Sequence, residues 1–316
     1  MPALPPYVEP LDHGLYAVDT GFQRARFDAA YLLVHQGRAA FIDTGTNHAV
    51  PRLLAALESL GLRPEAVDYV IPTHVHLDHA GGAGLLMSRL PSARLVVHPR
   101  GARHMIDPTQ LYQGALAVYG HQEMNRSYGV LLPVAAERVT SSEDGMTLSL
   151  AGRELLFIDA PGHARHHHCI WDVASRGWFT GDTFGLSYRE FDNERGAWVL
   201  PTSTPVQFEP QALRASVERM LQRSPRWMYL THYGRVGQVP QLAALMLEQV
   251  DAMVALGHEL RDAPQRHERL KEALLALYLD RLAVHGFTDG AHAAELLAMD
   301  VELNAQGLAV WLDKHC

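Results

Sequence analysis

The sequence predicts a layered α/β domain over residues 1–236 and an all-helical subdomain over residues 237–316. Short β-like runs dominate the first hundred residues, and such runs interleave with helical patterns up to about residue 230. From about residue 238 onward only helical periodicity remains. Interleaved strands and helices are typical of a sheet covered by helices. The length of 316 residues and the 47% hydrophobic content suffice for one large core with an appendage.

Valine, leucine, isoleucine and phenylalanine mark the strands of the first half. The predicted strands are residues 14–18, 30–34, 39–42, 68–71 and 94–98. Leucines at helical spacing predict a helix over residues 50–60, which Gly61 would end. Shorter helices are predicted over residues 83–90 and 101–105.

Residues 107–133 have no clear period. They contain Tyr112, Tyr119 and Tyr128, which would form one apolar face. Two interpretations stay open for this segment: a lid over the site or a contact in a homodimer.

The second half adds five predicted strands and then helices. The strands are residues 146–150, 154–158, 168–173, 177–180 and 227–230, with a helix over 210–223. Two apolar stripes mark the C-terminal helices. They comprise Leu242, Leu245, Met246, Met253 and Leu256, and then Leu270, Leu274, Leu277, Tyr278 and Leu282.

The bulk composition argues against several classes of protein. A net charge of −8 and a pI near 6.2 give no electrostatic footprint for nucleic acid. Two cysteines, Cys169 and Cys316, are too few for a disulfide-built scaffold. We see no signal-peptide pattern and no apolar stretch near the ~20 residues of a membrane helix. A cytoplasmic protein without nucleic-acid or membrane partners is therefore expected.

The stretch THVHLDHAGG, residues 73–82, follows a predicted strand and has the pattern H-x-H-x-D-H. Alternate side chains of extended backbone share a face, so His74, His76 and Asp78 can point the same way. His79 then joins them at the turn into a helix. Transition metals bind neutral imidazoles and carboxylates at ~2.0–2.2 Å. The cluster could therefore supply two ligands to each of two metal ions.

Three further candidate ligands each follow a predicted strand. His163 lies in APGHARHHH, Asp182 in FTGDTFG and His232 in LTHYG. A lone histidine at a strand end is most often a surface residue, but functional residues concentrate at such junctions. Together with the cluster, the three junctions indicate a metal centre.

With these motifs in this order, the sequence resembles the metallo-β-lactamase fold superfamily. The motifs THVHLDHAGG, PGH, GDT and THYG carry the resemblance, the upstream FIDTG adds to it, and it covers about residues 14–236. The resemblance implies a four-layer αββα sandwich with the metal site at one edge of the two sheets. The helical C-terminal extension is similar to that of glyoxalase II.

The resemblance also implies the roles of the ligands. His74, His76 and His163 would bind the first metal ion, Asp78, His79 and His232 the second, and Asp182 would bridge the two. True β-lactamases usually have a cysteine at the bridging position, so antibiotic hydrolysis is not expected. The implied cofactors are two divalent ions, with zinc expected and manganese or iron as alternatives.

Other residues are assigned supporting roles. Asp43 of FIDTG would hold the metal loop through backbone or imidazole N–H groups, and His167 matches a second histidine of the superfamily's PGHTxGH pattern. His166 and His168 beside it are expected to be one exposed and one packed. Asp78, Asp182, Tyr188 and His167 are the candidate catalytic residues, with Arg189 and Tyr233 as further candidates to assist the leaving group. Residues 184–192 and 201–208 would wall the substrate pocket.

The expected function is a dinuclear metal-dependent hydrolase of a small ester, thioester or lactone, in which a metal-bridging hydroxide attacks the substrate. A phosphodiesterase is the first alternative. A non-haem iron oxygenase, such as a persulfide dioxygenase, is the second, although a diiron oxidase typically has a carboxylate in place of His76. A sensor that kept the fold without activity is the last. The expected partner is a small-molecule substrate, with homodimerisation open.

Overall fold

The computed structural model describes residues 3–203 and 206–315, apart from the side chains of Val118 and Tyr119. The chain forms two compact units, each built from discontinuous segments. The first comprises Met1–Asp159, His166–Gly181 and Trp227–Arg235, and the second comprises Ala160–Arg165, Asp182–Arg226 and Val236–Cys316. Residues 160–165 and 182–226 thus group with the C-terminal helices, whereas the sequence interpretation placed them in one domain over residues 1–236. That domain assignment stays a prediction.

A seven-stranded sheet is formed by the first part of the chain. Its strands, adjacent in sequence order, are β1 Val8–Pro10, β2 Leu15–Asp19, β3 Ala29–His35, β4 Arg38–Ile42, β5 Val67–Ile71, β6 Arg94–Val97 and β7 Val139–Ser141. The strands β1 to β4 pair antiparallel, and β4 to β7 pair parallel. The carboxyl ends of the parallel strands therefore meet at one edge, where the motif of residues 73–82 begins.

The second sheet has six strands in the order β13-β12-β11-β10-β9-β8. They are β8 Thr147–Leu150, β9 Arg153–Asp159, β10 His168–Asp172, β11 Gly177–Gly181, β12 Trp227–Leu230 and β13 Gly234–Val236. The strands β8 to β11 pair antiparallel, whereas β11 and β12 pair parallel. The parallel pair brings the ends of β11 and β12 to the same edge.

One apolar core lies between the two sheets. Leu33 and Ile71 of the first sheet belong to the same buried cluster as Phe157 and Phe179 of the second. Burial of each such side chain contributes about 1.5–3 kcal/mol relative to exposure. The other face of the first sheet is covered by helices that bury their leucines in a second cluster.

The helices are named here in chain order. They are α1 Val50–Ser59, α2 Leu77–Ala80, α3 Ala83–Arg89, α4 Pro99–Ile106, α5 Thr109–Glu123, α6 Pro210–Leu221, α7 Val239–Glu259, α8 Arg266–His285, α9 Gly290–Leu296 and α10 Ala298–His315. Helix α7 packs against α6, α8 and α10 in the second unit. Most residues of the two predicted apolar stripes are buried, whereas Leu245, Leu256 and Leu277 are half-buried.

Helix α7 corrects one expectation. By length and composition it is apolar enough to cross a membrane, although the sequence was judged to contain no such stretch. Gln241, Glu248 and Asp251 interrupt its apolar sequence. The buried face of α7, with Met246 and Met253, is that of a helix in a protein core.

The segment without a clear period is helical. Helix α5 is interrupted at Gly120, which has a φ of +76°, and a π-helical turn Met124–Tyr128 follows. The ring of Tyr128 is buried against Phe22, with ring centroids 5.6 Å apart. Tyr112 is half-buried, and Tyr119 has no described side chain. The choice between a lid and a dimer contact stays a prediction.

Candidate metal centre

The loop after β5 and the short helix α2 carry the first group of predicted ligands. His76 has extended backbone, and α2 begins at Leu77, so the chain turns between the second histidine and Asp78. Gly81 and Gly82 follow, and a Cβ on Gly82 would lie 2.8 Å from the carbonyl oxygen of Thr46. The close backbone approach explains why glycine follows the motif.

The first two histidines of the motif converge. Nε2 of His74 lies 2.7 Å from Nδ1 of His76. The side chain of His74 is fully buried, and its ring stacks on that of His167, with ring centroids 4.7 Å apart. The pair could offer two nitrogen ligands to a common point, although residues 73 and 74 form a bend after β5 rather than a continuation of the strand.

Asp43 holds the base of this loop, as the sequence predicts. Its Oδ1 accepts hydrogen bonds from the backbone N–H of Thr73 at 2.6 Å and from the Thr73 hydroxyl at 2.9 Å. Its Oδ2 lies 2.7 Å from the hydroxyl of Thr231 and 2.9 Å from Nδ1 of His79. The expected contacts of Asp43 with backbone and imidazole N–H groups are confirmed.

Asp78, His79 and His232 form one group that could hold a metal ion within the first unit. Their ligand atoms all lie within 4.8 Å of one another. Oδ2 of Asp78 is 3.8 Å from Nε2 of His79 and 3.4 Å from Nε2 of His232. The two rings are buried, whereas the carboxylate is partly exposed. Such a site would be open to solvent on the side of Asp78.

Hydrogen bonds to Nδ1 of His232 and His79 determine which ring nitrogen of each faces the carboxylate of Asp78. Nδ1 of His232 lies 3.1 Å from the carbonyl oxygen of Phe27, which only accepts. Nδ1 therefore carries the proton, and in the neutral ring Nε2 presents a lone pair. Asp43 has the same effect on His79. An N–H bonded to a carbonyl or carboxylate orients a metal-binding histidine in this way.

The second unit contributes a similar pair. Nε2 of His163 lies 3.3 Å from Oδ2 of Asp182, and both side chains are buried. Nδ1 of His163 donates to the carbonyl oxygen of Thr202 at 3.2 Å. In the neutral ring, the Nε2 lone pair of His163 therefore faces a carboxylate oxygen.

These arrangements fit a divalent cation. An imidazole lone pair facing a carboxylate at 3.3–3.8 Å is repulsive unless a proton or a metal ion lies between the two atoms. Three histidines share this arrangement, namely His79, His163 and His232. Nitrogen and oxygen donors of this kind suit zinc, manganese and iron. The donor set could therefore hold a transition-metal ion.

The three successive histidines after His163 have different environments. His167 is buried, and a Cβ on Gly181 would lie 2.5 Å from its Nε2. His168 is also buried; its Nε2 donates to the carbonyl oxygen of Pro72 at 2.9 Å, and burial lowers its pKa to about 3. His166 is half-buried rather than exposed, and its Nδ1 accepts from the backbone of Val75 at 3.5 Å.

Asp28 is a residue of this region that the sequence interpretation missed. It is fully buried, and the hydroxyl of Thr20 donates to its Oδ2 at 2.9 Å. Burial raises the pKa of Asp28 to about 7, and the charge of nearby Asp78 adds to this rise, whereas His232 and His79 oppose it. Asp28 belongs to no recognised motif, so only its place just before a buried strand could have singled it out.

Three of the residues predicted to assist the leaving group are buried or hydrogen-bonded to other groups. Tyr188 is 1% exposed, and its hydroxyl donates to Oδ1 of Asp300 at 3.0 Å. The guanidinium of Arg189 donates to the carbonyl oxygen of Ser187 and pairs with Asp192. Tyr233 is buried. The hydroxyl of Tyr188 thus has a partner within the second unit, and the catalytic role of Tyr188 stays a prediction.

A sequence model of the family described as the metallo-beta-lactamase superfamily matches residues 24–232 of this chain. The chain belongs to this superfamily. The matched range includes all seven predicted ligands, from His74 to His232. The predicted fold class, an αββα sandwich with an all-helical C-terminal extension, is likewise confirmed.

Two relatives within the superfamily illustrate its range. The metallo-beta-lactamase fold-containing protein ST1585 of Sulfurisphaera tokodaii is 24% identical over 242 residues, which cover 75% of this chain and 84% of that protein. A hydroxyacylglutathione hydrolase of Klebsiella pneumoniae is 30% identical over 149 residues, which cover 47% of this chain and 43% of the hydrolase. The chain thus aligns with less than half of that hydrolase.

Solved structures of the superfamily show the same fold. The structure of ST1585 matches with a TM-score of 0.62 and covers 76% of this chain and 86% of its own. The structure of TTHA1429 from Thermus thermophilus matches with a TM-score of 0.61 at 23% identity, and covers 90% of this chain and 93% of its own. At these identities, the similarity concerns the fold and not the reaction.

Proposed function

We propose that this chain is a dinuclear metal-dependent hydrolase of a small ester, thioester or lactone. One ion would be held by His74, His76 and His163, the other by Asp78, His79 and His232, and Asp182 would be shared by both. The observation that carries the proposal is the orientation of three imidazoles whose Nδ1–H groups are bonded to oxygen acceptors, so that Nε2 faces a carboxylate.

When bound, two divalent ions would lower the pKa of a shared water toward about 7 and so supply a nucleophile at neutral pH. The chain's own residues would hold the ligands in position. Asp43 holds Thr73 and His79 in register, so the loop is organised before metal arrives. Burial of His74 and His163 keeps competing water from their ring nitrogens. The partly exposed Asp78 leaves the second position accessible to substrate.

Hydrolysis of an ester or thioester is favoured over phosphodiester cleavage by two observations. The net charge of −8 opposes association with a polyanionic nucleic acid. The similarity to a hydroxyacylglutathione hydrolase points to an acyl-group substrate. Phosphodiester cleavage uses the same donor set, so it stays as the alternative function.

An iron oxygenase is the second alternative. His76 contributes an imidazole at the position where diiron oxidases of this fold typically have a carboxylate. A histidine at this position favours a hydrolytic centre, since neutral imidazole donates less charge to the metal than carboxylate does. Iron content and oxygen uptake distinguish the two.

The first experiment is elemental analysis of protein purified without a metal-chelating tag. About two equivalents of zinc or manganese per chain are expected, followed by turnover in a panel of thioesters, lactones and esters. One equivalent of iron with oxygen uptake would replace the hydrolase proposal with an oxygenase. Absence of metal after reconstitution would overturn both.

The variant Asp182→Asn tests the shared carboxylate. It is expected to lose one equivalent of metal and to lower turnover more than about tenfold. Asp192→Asn is the matched control, since Asp192 is a carboxylate in the same loop that pairs with Arg189. Equal metal content in the two variants would contradict the role of Asp182.

A further inference from the structure

The C-terminal helix α10 carries a buried amide that is hydrogen-bonded at both its oxygen and its nitrogen. The side chain of Asn304 is 1% exposed. Its Oδ1 accepts from the backbone N–H of Ser203 at 2.7 Å, and the Ser203 hydroxyl lies 3.1 Å from the backbone carbonyl oxygen of Asn304 and 3.2 Å from Oδ1. Its Nδ2 donates to the carbonyl oxygen of Pro201 at 3.0 Å and to the hydroxyl of Tyr278 at 2.9 Å. Both donors of the amide and its oxygen are therefore engaged.

Asn304 thereby holds one particular peptide group. The N–H of Ser203 and the C=O of Thr202 belong to the same peptide bond, which is planar. Fixing the N–H end of this plane fixes the direction of the C=O at its other end. That carbonyl oxygen accepts the hydrogen bond from Nδ1 of His163 at 3.2 Å.

A second feature of α10 holds the same stretch of backbone. A Cβ on Gly307 would lie 1.7 Å from the carbonyl oxygen of Ser203. Gly307 lies three residues after Asn304, on the same helix face. Only glycine lets the helix approach the loop so closely. The packing contact of Gly307 and the hydrogen bonds of Asn304 therefore both hold Ser203.

We propose that Asn304 is a positioning residue for the metal ligand His163. It orients the 202–203 peptide, which holds the Nδ1–H of the imidazole and so aims Nε2 toward the metal. The helical extension would then be part of the metal centre's supporting shell rather than only a wall of the substrate pocket. This inference rests on the proposed function in one respect, namely that His163 is a ligand.

The test compares Asn304→Ala with a matched control in which a different buried amide of the extension is removed. Gln249 of α7 is fully buried, and its Nε2 donates to the carbonyl oxygen of Val199 at 2.7 Å. Gln249→Ala therefore perturbs the same loop without touching the 202–203 peptide. Metal affinity is measured by competition with a chelator, and the ligand field by the visible absorption of the cobalt-loaded protein.

Asn304→Ala is expected to weaken the binding of one of two ions about 10-fold to 100-fold and to shift the cobalt spectrum. Gln249→Ala is expected to leave both unchanged even if it lowers the melting temperature. Asn304→Ser is the second variant, because its short hydroxyl keeps the helix polar and leaves a smaller cavity. It is expected to act in the same direction.

A double variant separates positioning from a general loss of stability. If Asn304 acts through His163, Asn304→Ala adds no further loss of affinity in a His163→Ala background. Wild-type affinity and spectrum in folded Asn304→Ala or Asn304→Ser would overturn the inference while leaving the proposed function intact. A wild-type protein that binds no metal would instead overturn the proposed function.

Discussion

The carboxylate of Asp43 accepts from a backbone amide, two threonine hydroxyls and one imidazole while it is 1% exposed. A buried carboxylate is costly unless such donors surround it. Thr73 lies directly before His74 and Thr231 directly before His232, so the same carboxylate fixes both loops. Asp43 therefore links two stretches of chain that each carry a candidate ligand.

Asp43→Asn is expected to weaken metal binding about 10-fold to 100-fold, because an amide must turn one N–H₂ group toward the donors that now face the carboxylate. The measurement is chelator competition monitored by metal content. Asp159→Asn serves as the control. Asp159 also contacts an imidazole, since its Oδ1 lies 3.1 Å from Nε2 of His98, but His98 is not a candidate ligand. Equal affinities for the two variants would show that Asp43 does not organise the centre.

Tyr188→Phe distinguishes a packing role from a catalytic one. Loss of the hydrogen bond to Asp300 is expected to lower the free energy of unfolding by about 1 kcal/mol. Turnover of the substrate found in the panel should stay within twofold of wild type. A proton donor would instead lower turnover about 100-fold or more. The two readouts are denaturant unfolding and kcat.

At the scale of elements, the candidate ligands of the first unit follow the ends of β5 and β12, and Asp182 follows β11 along the chain. Gly181 ends β11 with a φ of +47°, and a Cβ there would lie 2.5 Å from Nε2 of His167 and 2.6 Å from the hydroxyl of Thr73. The absence of a side chain is what lets β11 pass beneath the imidazole that stacks on His74.

Gly181→Ala is therefore expected to displace His167 and Thr73 and to lower metal affinity about tenfold. Gly61→Ala is the control, because Gly61 also has a positive φ, +72°, but nothing lies within 4 Å of its added Cβ. Both variants incur similar backbone strain, so a difference in affinity reports the contact alone. Equal affinities by chelator competition would contradict the predicted displacement.

The elements that sequence patterns predicted are those with enough residues to show a period. The strands β3 to β6 and helices α1 and α6 fall within a few residues of the predicted ranges. The strands β1, β7 and β13 have three residues each, too few for alternation to be recognised, and were not predicted. Helix α5 was missed because its apolar residues have no clear period and Gly120 interrupts the helix.

The candidate ligands were predictable because metal chemistry restricts both the residue types and their spacing. The residues that support these ligands were harder to predict. Asp43 was found through its motif, whereas Asn304 gives no local signal, since it acts across about a hundred residues of sequence. Tyr188 was singled out by proximity to Asp182 in sequence, but its hydroxyl bonds Asp300 instead. Spacing along the chain does not show which way a loop side chain turns.

At the scale of the whole molecule, two buried groups make folding stability depend on pH with opposite signs. Burial lowers the pKa of His168 from 6.5 to about 3, so between these values the unfolded chain binds a proton that the folded chain does not. Stability from this group is lost as the pH falls below about 6.5. The pKa of Asp28 is raised from 3.8 to about 7, so its contribution is lost as the pH rises through that range.

His168→Gln isolates the first of these contributions. The wild type is expected to lose up to about 1.4 kcal/mol per pH unit more than the variant between pH 6 and pH 4, since one pKa unit corresponds to that free energy. Denaturant unfolding at several pH values measures it. His121→Gln is the control, because His121 is exposed. An unchanged slope in His168→Gln would show that the folded protein accommodates a protonated His168.

The chain leaves the first unit after Gly181 and returns to it at Trp227, with residues 182–226 between the neighbouring strands β11 and β12. The hydroxyl of Thr231 and the carboxylate of Asp43, 188 residues apart, meet only after that return. During synthesis the first two histidines therefore emerge from the ribosome long before the residues that complete their surroundings. The metal centre that we propose would therefore be complete only in a chain that has assembled both sheets.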